Sequence, residues 1–227
     1  MSRVDFEPKG SKGTMKCLVE EHEKEFSKLL NGNIEWISPT KAAGYKEFQL
    51  NKSILNWLGL PVDALKDFWP ERGPQWDGIA LDYDNKILYL LEAKSHFSEI
   101  SPRSNNSDKS ESNLQMIKES ISDIKNYYGS NADIKDIWMD KYYQIANRLA
   151  FLKKMKKLSS EYDEAKYKDV KLIFLNFEND PTWGKDIAVP KGGWNKKYDQ
   201  IWKEMDIDKN QLEKEGVLKI DIDTEKW

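Results

Sequence analysis

The stretch Ile87-Leu88-Tyr89-Leu90-Leu91-Glu92-Ala93-Lys94 constrains the fold more than any other part of the chain. Its first five residues are apolar without alternation, so they read as an interior strand covered on both faces. A carboxylate and an ammonium follow at once. Charges placed there cost several kcal/mol each unless something pairs them. The preceding segment, Gln75-Trp76-Asp77-Gly78-Ile79-Ala80-Leu81, reads as the other arm of a hairpin. With Asp84-Asn85 as a tight turn, Tyr83 faces Lys86, Leu81 faces Leu88, Ile79 faces Leu90 and Asp77 faces Glu92. Directly opposed residues have Cβ atoms roughly 4.5–5.5 Å apart, and strand alternation puts Lys94 on the face of Glu92. Two carboxylates so placed repel each other. A divalent cation between them turns that repulsion into coordination, and Mg²⁺, with Mn²⁺ as a substitute, suits oxygen ligands shared with substrate phosphate.

At Pro74-Gln75-Trp76-Asp77-Gly78 and Glu92-Ala93-Lys94 the chain resembles the PD-(D/E)XK nuclease superfamily. Further stretches resemble a bacterial branch of uncharacterised members: Phe68-Trp69-Pro70, Glu92-Ala93-Lys94-Ser95-His96, and Tyr142-Tyr143-Gln144-Ile145-Ala146-Asn147-Arg148-Leu149-Ala150. The resemblance implies a restriction-endonuclease-like α/β core, a mixed central β-sheet flanked by helices. It also implies metal-dependent hydrolysis of phosphodiesters in nucleic acid, DNA above all, and often dimerisation to cut both strands. In that superfamily the carbonyl between the glutamate and the lysine is often a further metal ligand, which is Ala93 here.

The chain has 227 residues, enough for one α/β domain over its whole length with an ample core. Nine Trp, ten Tyr and eight Phe supply apolar area for that core. A net charge of −3 argues against a general polyanion binder, while leaving room for a metal and a few local lysines to make one cleft positive. Cys17 is the only cysteine, so no disulfide framework or cysteine zinc site is expected, and His22 and His96 are too few for a multi-histidine metal centre. No signal core opens the chain and no apolar run approaches the ~20 residues that span a bilayer, so a cytoplasmic protein is expected.

Residues 1–13 read as a loose arm. A helix capped by Thr14 is expected to run to about Leu30, with Met15, Leu18, Val19, His22, Phe26, Leu29 and Leu30 on its apolar face. A short strand at Ile34–Ile37 follows, then a helix from Tyr45 to Leu58. Residues 101–113 have almost no apolar side chain and read as a flexible loop, either a connector or a flap over substrate. Helices are expected at Leu114–Tyr128 and Asp140–Leu158, the latter with Tyr142, Ile145, Leu149, Leu152 and Met155 as its core stripe. The last strand is expected at Val170–Phe177, and a helix at Trp194–Met205.

Asp77 and Glu92 are the expected metal ligands. Lys94 either deprotonates the attacking water or stays charged and stabilises the transition state. Superfamily members often add a glutamate from an earlier helix. Glu20, Glu21, Glu23, Glu25 and Glu47 are candidates, and Glu47 lies in a stretch resembling an acidic motif of the branch. Gln144 and Arg148 share one edge of a helix at i, i+4. Arg148 suits either a phosphate clamp or a pair with a buried carboxylate. Lys153, Lys154, Lys156 and Lys157 read as a solvated face, and as the first place to look for phosphate contacts. Two other readings stand beside the nuclease: a non-catalytic module of the same fold that binds nucleic acid or protein, and a glycosidase using the two carboxylates as acid and base.

Overall fold

The computed structural model describes residues 7–100, 110–184 and 187–227. Five strands form one mixed sheet in the order β1-β2-β3-β4-β5. They are β1 (Ile34–Ser38), β2 (Gly78–Asp82), β3 (Ile87–Lys94), β4 (Asp169–Glu178) and β5 (Val217–Asp223). The first two junctions are antiparallel, and β3-β4 and β4-β5 are parallel. Helices cover both faces, as expected of an α/β fold.

The hairpin register is the expected one, with Ile79 opposite Leu90 and Leu81 opposite Leu88. The turn differs. Four residues, Tyr83 to Lys86, connect the arms. Asp82 Oδ1 accepts from the backbone N–H of Asp84 and Asn85, both at 3.0 Å, and Lys86 takes the left-handed conformation (φ 53°). An acceptor one residue earlier thus sets the turn.

β3 is buried on both faces. Leu88 and Leu90 join the larger core, beneath α3 (Lys52–Trp57), α4 (Glu111–Tyr127), α5 (Tyr143–Glu161) and α6 (Gly193–Glu204). Tyr89, Leu91 and Ala93 join the smaller core, beneath α1 (Ser11–Glu21) and α2 (Glu23–Leu30). The whole expected stripe of α5, Tyr142 through Met155, is buried. By alternation Asp77, Glu92 and Lys94 all point into the larger core's layer.

Several boundaries need correction. The first helix starts at Ser11 after Gly10, so Thr14 is a buried helical residue rather than the cap, and residues 11–13 belong to the helix. It is also broken: His22 leaves the helix (φ −125°, ψ 16°), its ring stacked 4.4 Å from that of Trp227. Leu29 is 58 % exposed instead of lying on the core face. The helix expected from Tyr45 is only α3, because Gly44 and Tyr45 have positive φ and Asn51 caps the true start by accepting from Ser53 N and Ile54 N. Glu47 therefore sits on an extended stretch, beside the bridge between Phe48 and Trp76. A π-helical stretch, Ile134–Lys141, precedes α5, and β4 is not the last strand. The short α7 (Lys209–Lys214) leads into the edge strand β5. Of the expected loop at 101–113 and the arm at 1–13, residues 101–109 and 1–6 lie outside the described residues.

Candidate active site

The last rung of the β2-β3 ladder pairs Gly78 with Leu91, one residue short of Asp77 and Glu92. Beyond it a side chain replaces the ladder: the Ala93 N–H donates to Asp77 Oδ2 at 2.8 Å. Lys94 Nζ bonds Glu92 Oε1 and stands 4.0 Å from Asp77 Oδ2. The three expected residues thus converge on one face at the strand ends. Glu92 is 2 % exposed and Lys94 7 %. Asp77 is at the rim, its side chain 18 % exposed.

Arg148 completes the cluster. Its Nε donates to Glu92 Oε2 at 2.6 Å, Nη2 to the Gln75 carbonyl at 2.5 Å and Nη1 to Asn147 Oδ1 at 3.0 Å. The guanidinium lies 4.4 Å over the Trp76 ring. At 3 % exposure it is an internal anchor for Glu92, the second of its two expected roles, rather than a clamp facing solvent. Gln144, one turn earlier, is half-buried and makes no hydrogen bond to these groups among the described residues. Glu47 pairs with Lys12 at 3.1 Å, and its charge reaches Asp77. Glu20 pairs with Lys41 at 3.6 Å.

Electrostatics separate the two carboxylates. Burial, the Glu92 charge and the more distant Glu47 push Asp77 up to about 7, against Lys94 and the Ala93 N–H. Burial also acts to raise Glu92, but Arg148 and Lys94 overcome it and hold Glu92 below the usual carboxylate range. Lys94 is pulled down by burial and more strongly up by Glu92 and Asp77, so it keeps its proton above the ordinary lysine range. In this charge environment Lys94 is a hydrogen-bond donor to Glu92.

Two further residues line the floor. Asn176 stands beside Lys94 in the β3-β4 register and donates from Nδ2 to Asp221 Oδ1 at 2.9 Å. The fully buried Tyr198 donates to Asn176 Oδ1 at 3.1 Å, and its hydroxyl is raised by burial first and by the Glu92 charge next. Asn176 was legible as the one amide in the apolar run of β4. Nothing in the sequence ties Tyr198 to it. His96, just beyond Lys94, stacks 4.4 Å from the Trp183 ring and caps the Phe97–Glu99 turn, a structural role. A cavity of about 660 Å³, between α3, the segment 62–73 and α4, lies behind Phe151 and includes none of the charged cluster.

Mg²⁺ fits part of this donor set. Asp77 and Glu92 offer hard oxygens, and Asp77 Oδ1 meets no donor among the described residues. Asp77, raised to about 7 by burial first and by the Glu92 charge next, is the less well compensated of the two carboxylates. Glu92 is already satisfied on both oxygens, by Lys94 and Arg148. No group of three or more Asp, Glu, His or Cys arranged for a metal occurs among the described residues. The chain matches no protein-family model, no curated protein and no solved structure.

Proposed function

We propose that the protein hydrolyses phosphodiester bonds in nucleic acid, DNA before RNA, with Mg²⁺ or Mn²⁺ as its metal. The observation that carries this reading is the convergence of Asp77, Glu92 and Lys94 at the ends of adjacent strands, on one face, with Lys94 Nζ bonded to Glu92 and 4.0 Å from Asp77. Asp77, Glu92 and the Ala93 carbonyl would hold the ion, which supplies a polarised phosphoryl oxygen and a bound water of lowered pKa.

The chain's own residues do the rest. Asp77 presents Oδ1 toward the rim while the Ala93 N–H fixes Oδ2. Arg148 holds Glu92 ionised and oriented. Lys94, protonated, stabilises the negative charge that develops on the phosphoryl group and orients the attacking water by donating to it. Dimerisation would let two such sites cut both strands of a duplex.

One observation favours a second reading. Glu92 Oε1 and Oε2 are both engaged by internal cations, so Asp77, Glu92, Lys94 and Arg148 form a self-neutralising cluster. A non-catalytic module of the same fold, binding nucleic acid or protein, needs no more than that. Calorimetry with Mn²⁺ separates the two: heat of binding lost in Asp77→Asn supports the nuclease, and no binding by the wild-type protein supports the module.

A further inference from the structure

Three residues past Lys94, a second feature opens at the same end of the sheet. A groove of about 530 Å³ is lined by Phe97, Pro190, Lys191, Gly193, Lys196 and Lys197. It is pinned beside the strand ends by α6. The Phe97 ring packs edge-on against Trp194 at 5.0 Å, Trp194 Nε1 donates to the Phe177 carbonyl at 3.2 Å, and Tyr198 bonds Asn176. We infer that this groove carries the phosphodiester backbone of the nucleic acid on its way from the site, with Lys191, Lys196 and Lys197 as phosphate contacts. The assignment rests on the nuclease reading and names where its substrate lies.

The lysines of the groove and those of the α5 run differ in what engages them. None of Lys191, Lys196 and Lys197 has a carboxylate within 4.0 Å among the described residues. Each lysine of the α5 run is engaged by a neighbouring ring or carboxylate. Lys153 lies 2.7 Å over the Tyr127 ring and Lys154 5.7 Å over Phe68, while Lys156 pairs with Asp169 at 3.2 Å and Lys157 with Glu161 at 3.5 Å. Position points the same way. Asp169 opens β4, whereas Asn176, beside Lys94, is seven residues further along. Along α5, at about 1.5 Å per residue, Lys153 to Lys157 lie about 8–14 Å beyond Arg148, the residue that bonds Glu92. Lys191 and the α6 lysines are therefore placed ahead of the α5 run as phosphate contacts.

Helix polarity does not explain the groove, because Glu178 Oε1 already accepts from Gly192 N at 2.5 Å. The lysine side chains carry it. Phe97, 36 % exposed, adds an apolar ring at the mouth on which a base or sugar can rest.

The test compares fluorescence anisotropy of labelled oligonucleotides, across a salt series, with metal-dependent turnover of bis(p-nitrophenyl) phosphate, a diester too small to reach the groove. The triple variant Lys191→Glu/Lys196→Glu/Lys197→Glu should bind about 100-fold more weakly at ~0.1 M salt, with a log K against log salt slope shallower by about 2–3. Lys→Gln at the same positions should give an intermediate loss, and Lys154→Glu/Lys157→Glu none. Small-diester turnover should be unchanged in all three. Wild-type affinity in the triple variant, or an equal loss in the α5 variant, overturns the groove while intact small-diester turnover leaves the site standing. Absence of small-diester turnover with lysine-dependent binding retained would instead overturn the nuclease and keep the groove as a binding surface.

Discussion

The Arg148 guanidinium ties together the two segments that carry the carboxylates. Its Nε holds Glu92 Oε2 at 2.6 Å, and its Nη2 holds the carbonyl of Gln75, two residues before Asp77, at 2.5 Å. One planar fork thus fixes the separation on which a shared ion depends.

Replacing Arg148 should therefore cost stability before it costs catalysis. Arg148→Ala leaves Glu92 buried without one of its two cations, and removing one partner of a buried pair destabilises by about 3–5 kcal/mol. Arg148→Lys should recover only part of that loss, since an ammonium cannot bond Glu92 and Gln75 in one plane. Chemical denaturation measures both. A phosphate clamp would instead leave stability unchanged and raise KM alone.

Asp77→Asn should do the opposite. The group's ordinary value is 3.8 and the folded protein raises it to about 7. Its stabilising contribution is complete below about pH 4 and is lost as pH rises through about 7. Glu92 runs the other way, being lowered from 4.5, so its contribution is present at higher pH and lost as pH falls through its depressed value. Between about pH 5 and 7 the Asp77 contribution dominates, and wild-type stability should decline with rising pH and level off above that range. Asn keeps an acceptor for the Ala93 N–H without the charge. The variant should be more stable at pH 8 by roughly 1–3 kcal/mol and lack the decline. Urea titrations across that pH range check the sign.

Glu92→Gln should separate from Asp77→Asn although both remove one carboxylate. It leaves Lys94 and Arg148 facing a neutral amide, each 7 % exposed or less, so a loss of about 3–5 kcal/mol is expected. Loss of activity in that variant would partly report unfolding, which makes Asp77 and Lys94 the cleaner probes.

Metal should stabilise only the wild-type site. Mn²⁺ at about 100-fold its Kd adds about 2.7 kcal/mol to a protein that binds it only when folded. The rise in Tm should be larger at pH 8 than at pH 6, because Mn²⁺ competes with a proton on Asp77, and absent in Asp77→Asn. Differential scanning fluorimetry in paired buffers reads it.

The hairpin and its consequences were legible because they follow from a period of two. The unbroken apolar run of β3 marks a strand covered on both faces, and the register then puts Asp77, Glu92 and Lys94 together. The α5 stripe was legible for the equivalent helical reason. What stayed hidden depends on contacts between segments far apart in sequence. The Arg148–Glu92 pair spans 56 residues, and either role suited an arginine at a helix edge. The site's floor joins Asn176 to Tyr198 and to Asp221, and no local pattern links the three. Glu47 was misplaced because a helix-compatible composition concealed positive φ at Gly44 and Tyr45. The alternation of β5 from Leu218 to Ile222 is the pattern of an edge strand with one covered face.

Whether the protein is a metal-dependent nuclease is decided by cleavage of labelled duplex and single-stranded DNA, with Mg²⁺, Mn²⁺ or EDTA, by the wild-type protein and Lys94→Ala. Cleavage by the wild type should require the metal and fall at least ~100-fold in the variant, its fold checked by circular dichroism. Cleavage that survives EDTA, or a Lys94→Ala protein as active as the wild type, would contradict it.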